Sequence, residues 1–135
     1  MKLYLHATVM TVDPQRRVIA DGGVCVEDGV FAAVGESGEL RARYPGAEVV
    51  DCGGGILLPG LINTHVHTAQ CLLRGMADDM RLMPWLIGRI WPGQGAYDSE
   101  TYLHSARLAM AEMLLSGTTA FVEPMFAHHY GLEGM

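Results

Sequence analysis

The sequence is short of charge. Charged residues make up 18% of its 135 residues, where soluble domains carry roughly 25%. Nine Lys and Arg stand against 15 Asp and Glu, for a net charge of −6. No basic cluster interrupts that balance, which excludes nucleic acid as a main partner. Cysteine is scarce and odd in number. Cys25, Cys52 and Cys71 are widely spaced, which excludes a disulfide framework and a Cys-type zinc knuckle and fits reduced thiols in a cytoplasmic protein. No apolar run reaches the ~18–20 residues of a membrane span, so no membrane partner is expected. The opening "MKLYLHATVM" is broken by His6 and Thr8, and no small-residue cleavage site follows. It reads as a strand rather than a secretory leader. Internal repeats and low-complexity tracts are also absent.

What is present is apolar. Hydrophobic residues make up 50% before the 17 glycines are counted, against about 45–50% with glycine included in typical domains. That excess predicts apolar faces meant to pack against segments beyond this chain. The texture changes near residue 58. Residues 1–58 read as short β-strands. "KLYLHATV" alternates, with Leu3, Leu5, Ala7 and Val9 predicted on one face and Tyr4, His6 and Thr8 on the other. "VCVEDGVFAAVG" reads as a hairpin about Asp28-Gly29, a pair that tolerates the positive φ of a type I′ turn. "AEVVDC" and "GILL" read as two further strands, and "ESGELRARYPG" as a polar connection with one helical turn.

Residues 59–135 follow a strand–loop–helix–strand rhythm. "GLINTHVH" is the first strand. A short helix is predicted from Pro84, a favoured first helical residue, through Ile90. The clearest helix follows, with Asp98 as N-cap, Glu100 in the first turn, Leu103, Ala106, Met110 and Met113 on the apolar face, and Gly117 just past its end. "TTAFVEPMF" is the second strand. Strand, crossover helix and strand make one βαβ unit and imply a parallel sheet, α/β in class. Such a unit alone leaves two open edges, so the chain reads as part of a larger protein.

The strand "GLINTHVH" ends in two histidines. Residues i and i+2 of a strand point the same way, so His65 and His67 are predicted side by side near its C-terminal end, where parallel α/β folds build their sites. Neutral imidazole is the commonest metal ligand, and two from one strand supply adjacent corners of a coordination sphere. A bare His-x-His is a weak signal; its position after Pro-Gly and an apolar run, at a strand-to-loop junction, strengthens it.

Three motifs in order, "PGLINTHVH", "LLRGMADDMRLMPWLIGRIWP" and "LLSGTTAFVEPMF", resemble the amidohydrolase superfamily, in particular its aminohydrolase and chlorohydrolase branch. That branch contains the deaminases of S-adenosylhomocysteine and methylthioadenosine and the triazine hydrolases. The resemblance implies a metal-bearing (β/α)8 barrel flanked by a small composite β-sandwich. Residues 1–58 would be N-terminal strands of the sandwich, and residues 59–135 the start of a truncated barrel. His65 and His67 would be metal ligands for one divalent ion, zinc first, with iron or manganese also suited to the donors. The implied reaction is hydrolysis of a C–N or C–halogen bond on a small nitrogen heterocycle by metal-activated water, with this 135-residue piece inactive by itself.

On the substrate side the resemblance points to Trp85, Gln94 and Gln70. Trp85 would wall a flat ring. Gln94 stands where nucleoside deaminases of the branch carry a glutamate, a departure that favours the triazine-hydrolase side. Gln70, three residues past His67, would face the same pocket. Glu123 ends the second strand and is a lesser pocket candidate. Asp78 and Asp79 read as a solvated turn, His104 as helix surface, His128 and His129 as exposed loop histidines, and Cys71 as an unactivated thiol. Two alternatives stay open: a non-catalytic remnant or interaction module that pairs its sheet edges, and a cyclic-amide hydrolase of the same superfamily. Homo-oligomerisation of the full-length protein also stays open.

Overall fold

The structure, a computed structural model, describes residues 1–124. The chain divides after Pro59 into two compact units.

The first unit is a mixed sheet in the order β3-β2-β1-β4, with β5 also pairing β1. Its strands are β1 (Lys2–Met10), β2 (Val18–Glu27), β3 (Val30–Glu36), β4 (Glu48–Asp51) and β5 (Ile56–Leu57), with helix α1 (Ser37–Arg43) between β3 and β4. β1 is central, antiparallel to β2 and parallel to β4 and β5. The hairpin turn forms as expected: Asp28 and Gly29 both take positive φ, 49° and 80°, the type I′ signature. α1 spans seven residues, two turns rather than the one expected. Its Leu40 is buried against Leu3, Leu5 and Cys25.

The burial alternation along β1 is as expected, but the single apolar face is not. Leu3 and Leu5 pack with Cys25 and Leu40, whereas Ala7 and Val9 pack with Val24. Cys25 and Val24 are adjacent in β2, so they point to opposite faces. The switch occurs at His6, whose φ is 58° and where the β1–β2 register slips. One inserted residue reverses every side chain beyond it. Buried Ser37 clamps this bulge, accepting from the His6 N–H at 2.9 Å and donating to the Gly22 carbonyl at 3.0 Å. The face opposite α1 carries an open apolar hollow of about 340 Å³, lined by Tyr4, Val24, Val26, Phe31, Val34 and Leu57 among others.

In the second unit, strands β6 (Leu61–Asn63) and β7 (Thr118–Phe121) are parallel neighbours. Gly60 enters β6 where a Cβ would lie 2.0 Å from Oγ1 of Thr119, so only glycine lets the two strands approach there. Between the strands run a 3₁₀ segment (Thr68–Leu73), helix α2 (Leu82–Trp85), a π-turn (Leu86–Ile90), helix α3 (Trp91–Gly95) and helix α4 (Ser99–Leu115). The predicted Pro84–Ile90 helix is therefore longer at both ends. Pro84 takes the third helical position, where a missing N–H has no partner to lose. Pro92 cannot donate to residue 88, and the wider π-turn just before it opens the hydrogen-bond ladder at that point.

α4 is capped as the sequence indicates. Asp98 accepts from the Thr101 N–H at 2.8 Å and the Thr101 hydroxyl at 2.6 Å, and Gly117 has φ 85°. Its buried stripe differs, comprising Tyr102, Ser105, Ala106 and Ala109 rather than Leu103, Ala106, Met110 and Met113. Small side chains allow close approach to the 3₁₀ segment, and Ser105, fully buried, donates to the Thr68 carbonyl at 2.7 Å. Among the described residues no helix is long and apolar enough to cross a membrane.

Candidate metal centre

β6 ends sooner than the sequence suggests, at Asn63. The Asn63 side chain accepts from the His65 N–H at 3.1 Å, a local bond that turns the chain out of the strand. The Asn63 carbonyl still accepts from the Val122 N–H at 2.9 Å, and past the turn the Val66 N–H donates to the Val122 carbonyl at 3.4 Å, so the chain keeps contact with the segment following β7. Both histidines therefore lie just beyond the strand, not in it, yet their rings still meet. The centroids are 4.9 Å apart and edge-to-face at 79°, and the two Nε2 atoms are 3.2 Å apart. Two nitrogen ligands at 2.0–2.1 Å from a tetrahedral zinc would be about 3.3 Å apart, so the pair fits two corners of such a sphere. In the metal-free chain the same separation serves an imidazole–imidazole hydrogen bond. Among the described residues no group of three His, Cys, Asp or Glu side chains could hold a metal; His65 and His67 stand as two donors.

His65 is exposed, whereas His67 is half-buried. His67 borders a hollow of about 390 Å³ with Gln70, Cys71, Arg74, Ala109 and Glu112. Across it, Arg74 grips Glu112 through two bonds, 3.0 and 2.8 Å. The Arg74 side chain holds the Glu112 carboxyl below its ordinary range, and Glu112 in turn raises the Arg74 guanidinium.

Glu123, the lesser candidate from sequence, lies beside His67. Its side chain is 8% exposed, with Oε1 3.4 Å from Nδ1 of His67. Oε2 accepts from the Thr68 N–H at 2.7 Å and the Thr68 hydroxyl at 2.8 Å. The His67 Nδ1 is buried and, although within ion-pair reach of Oε1, is not aligned to any acceptor as a hydrogen bond. Thr68 and Ser105 went unnoticed in the sequence. The available signal was a hydroxyl directly after the second histidine and a serine set into the apolar face of a helix.

Of the residues expected from the sequence to face substrate, the Gln70 amide donates to the side-chain oxygen of buried Gln94 at 3.4 Å. Gln70 also shares a smaller hollow, about 190 Å³, with half-buried Trp85. It thus borders both the His67 hollow and the Trp85 hollow. The Tyr102 hydroxyl donates to the Gln94 carbonyl at 3.4 Å, and burial raises the Tyr97 and Tyr102 phenols. His104 sits on the helix surface near Glu100, and Asp78 and Asp79 are exposed. Cys71 is half-buried and accepts from Arg74. His128 and His129 lie outside the described residues.

Residues 56–135 match the amidohydrolase family, and residues 22–47 match a bacterial imidazolonepropionase-like composite domain. The chain is 44% identical over 115 residues to a 5-methylthioadenosine/S-adenosylhomocysteine deaminase of Nitratidesulfovibrio vulgaris (strain DP4), covering 85% of the chain and 26% of that protein. It is 43% identical over 118 residues to the protein of the same name from Bacillus cereus (strain 03BB102), covering 87% and 27%. Among solved structures, a mutant of the atrazine chlorohydrolase TrzN from Arthrobacter aurescens TC1, complexed with zinc and atraton, superposes with a TM-score of 0.82 at 28% identity, covering 99% of this chain and 33% of that one. A zinc-bound adenosine deaminase from Xanthomonas campestris superposes at 0.76 with 32% identity, covering 98% and 30%. The chain spans about a quarter of the length of the curated relatives it matches, and it belongs to the amidohydrolase family.

Proposed function

We propose that this chain carries the first two metal ligands and part of the substrate wall of a metal-dependent aminohydrolase that hydrolyses a C–N, or C–halogen, bond on a nitrogen heterocycle. The observation that carries the reading is the 3.2 Å approach of the His65 and His67 Nε2 atoms at the C-terminal end of a parallel strand, supported by zinc-bearing structures of similar fold. A divalent cation held there, zinc by preference, supplies the Lewis acidity that lowers the pKa of water from roughly 15.7 to about 7.

The chain's own residues divide the remaining work. His65 and His67 present paired lone pairs. Gln70 and Gln94, linked at 3.4 Å, offer neutral donors and acceptors to ring nitrogens or hydroxyls and so orient a flat substrate. The Trp85 indole supplies an apolar wall beside Gln70, excluding water from one face. The substrate class we assign is an amino- or halogen-bearing heterocycle, as in the relatives named as deaminases and the triazine enzyme.

Residues 59–135 are read as the opening of a (β/α)8 barrel and residues 1–58 as part of its accompanying sandwich. Leu61, Ile62, Leu114 and Val122 are exposed at 50%, 68%, 67% and 53%. Parallel sheets are ordinarily covered on both faces, which supports further barrel elements packing there. Two histidines fall short of the three-ligand minimum of catalytic zinc, so the 135-residue chain alone should show no turnover. The test is an ammonia-release screen over purines, pterins and triazines, using a protein of the relatives' full length with zinc. Turnover on one class, lost in His65→Ala and His67→Ala, supports the reading; turnover that survives both substitutions overturns it.

A further inference from the structure

Glu123 lies two residues past the end of β7, not in the strand as the sequence suggests, and it is placed with unusual economy. Its two oxygens have separate duties. Oε2 is committed to the N–H and hydroxyl of Thr68, at 2.7 and 2.8 Å. Oε1 lies 3.4 Å from the buried Nδ1 of His67. Thr68 is itself fixed, 2% exposed, with its carbonyl accepting from Ser105 of α4 at 2.7 Å. A chain of bonds thus runs from α4 through Thr68 to Glu123 and ends beside the imidazole. Closing the last gap by about 0.2 Å or slightly more reaches ordinary N–H···O range.

We propose that Glu123 is a positioning residue that sets the tautomer of His67, holding the proton on Nδ1 so that the Nε2 lone pair faces His65. A carboxylate is acceptor-only, so it is satisfied by an N–H and by nothing a bare ring nitrogen can offer. With the proton on Nδ1, Nε2 is left as the acceptor, and His65 donates across the 3.2 Å gap in the metal-free chain. This rests on the metal-ligand reading of the histidine pair and adds to it the residue that orients one ligand. Partners of this kind in other metal sites change affinity 10–100-fold when removed.

The substitution Glu123→Gln has a directional consequence. The Thr68 N–H is a fixed donor, so the amide oxygen must take its place opposite Thr68. The amide NH₂ then faces Nδ1, which must become an acceptor, and the proton moves to Nε2. Two-bond ¹H–¹⁵N correlation spectra of the uniformly labelled 135-residue chain, recorded metal-free above the ordinary histidine titration range, read the tautomer directly. The wild-type His67 should show the Nδ1–H pattern, and Glu123→Gln the Nε2–H pattern. Ser105→Ala, which leaves the carboxylate in place, should keep the wild-type pattern and controls for a merely structural effect.

Zinc titration of the same samples should show affinity lower by about 10-fold or more in Glu123→Gln. An Nε2–H pattern in the wild-type chain overturns the proposal without any variant, as does an unchanged tautomer in Glu123→Gln with unchanged zinc affinity. The predicted pair of tautomers in a chain whose histidines bind no zinc would support the positioning role and sink the metal reading instead.

Discussion

Thr68 offers the sharpest energetic test of the polar chain behind the histidines. Thr68→Val keeps the side-chain shape and removes one hydroxyl, and with it the 2.8 Å bond to Glu123. Hydrogen bonds to charged groups contribute about 1.5–3 kcal/mol. Here the same carboxylate oxygen keeps the 2.7 Å bond from the Thr68 N–H, and no donor is stranded, so the lower end, about 1.5 kcal/mol, is expected. For a unit of this size that is a fall of about 6–12 °C in midpoint temperature. Urea unfolding followed by tryptophan fluorescence is the assay. The two tryptophans, Trp85 and Trp91, both lie in the second unit, so the signal reports that unit alone. The slope should be unchanged and only the midpoint should move. In a Glu123→Ala background the same substitution should lose most of its cost, giving a coupling of about 1 kcal/mol. A loss below about 0.5 kcal/mol, or a full loss in the Glu123→Ala background, would refute the assignment of that bond.

Other outcomes follow from the same structure. Gly60→Ala forces a Cβ into the side chain of Thr119, and equilibrium unfolding should show a loss of about 1–3 kcal/mol; Thr119→Ala should restore part of it. The Asp98 carboxyl is held below its ordinary value of 3.8, chiefly by the Thr101 hydroxyl. A depressed folded value means the cap contributes fully above the ordinary value and is lost as pH falls through the folded one. Asp98→Asn keeps a capping oxygen without a charge, so the stability gap between the two proteins should shrink or reverse on going from about pH 6 to pH 2. An acid profile of the Asn variant parallel to wild type would contradict this. The 135-residue chain should bind zinc no more tightly than about micromolar by calorimetry, because two imidazoles are fewer ligands than any ordinary zinc site supplies.

Much of the fold was legible because it rests on local chemistry. Asp28-Gly29, the Asp98 cap and Gly117 each declare a backbone geometry through residue type, and each holds in the structure. The reversal of faces in β1 was not legible. It depends on a positive φ at His6 held by Ser37, 31 residues away, and no periodicity in the strand reports that contact. The same limit explains the α4 stripe, where small buried residues, not the large apolar ones, mark the close approach. The histidine pair is visible from its spacing, but strand alternation is not what brings the rings together. A longer strand was expected to align the rings, whereas a turn at Asn63 brings them together. Thr68 and Ser105 carried only a faint signal, because their roles exist only once α4 and Glu123, just past β7, meet the 3₁₀ segment.

The most direct test of the central claim is to locate the cation. Crystals of the chain soaked in zinc, measured on either side of the zinc absorption edge, give the ion's position from anomalous scattering. The account predicts a peak about 2.0–2.1 Å from Nε2 of both His65 and His67. A peak at His6, whose Nδ1 lies 3.1 Å from the Asp21 carboxylate, at His104 and Glu100, or at His128 and His129, with none between the paired imidazoles, would contradict it.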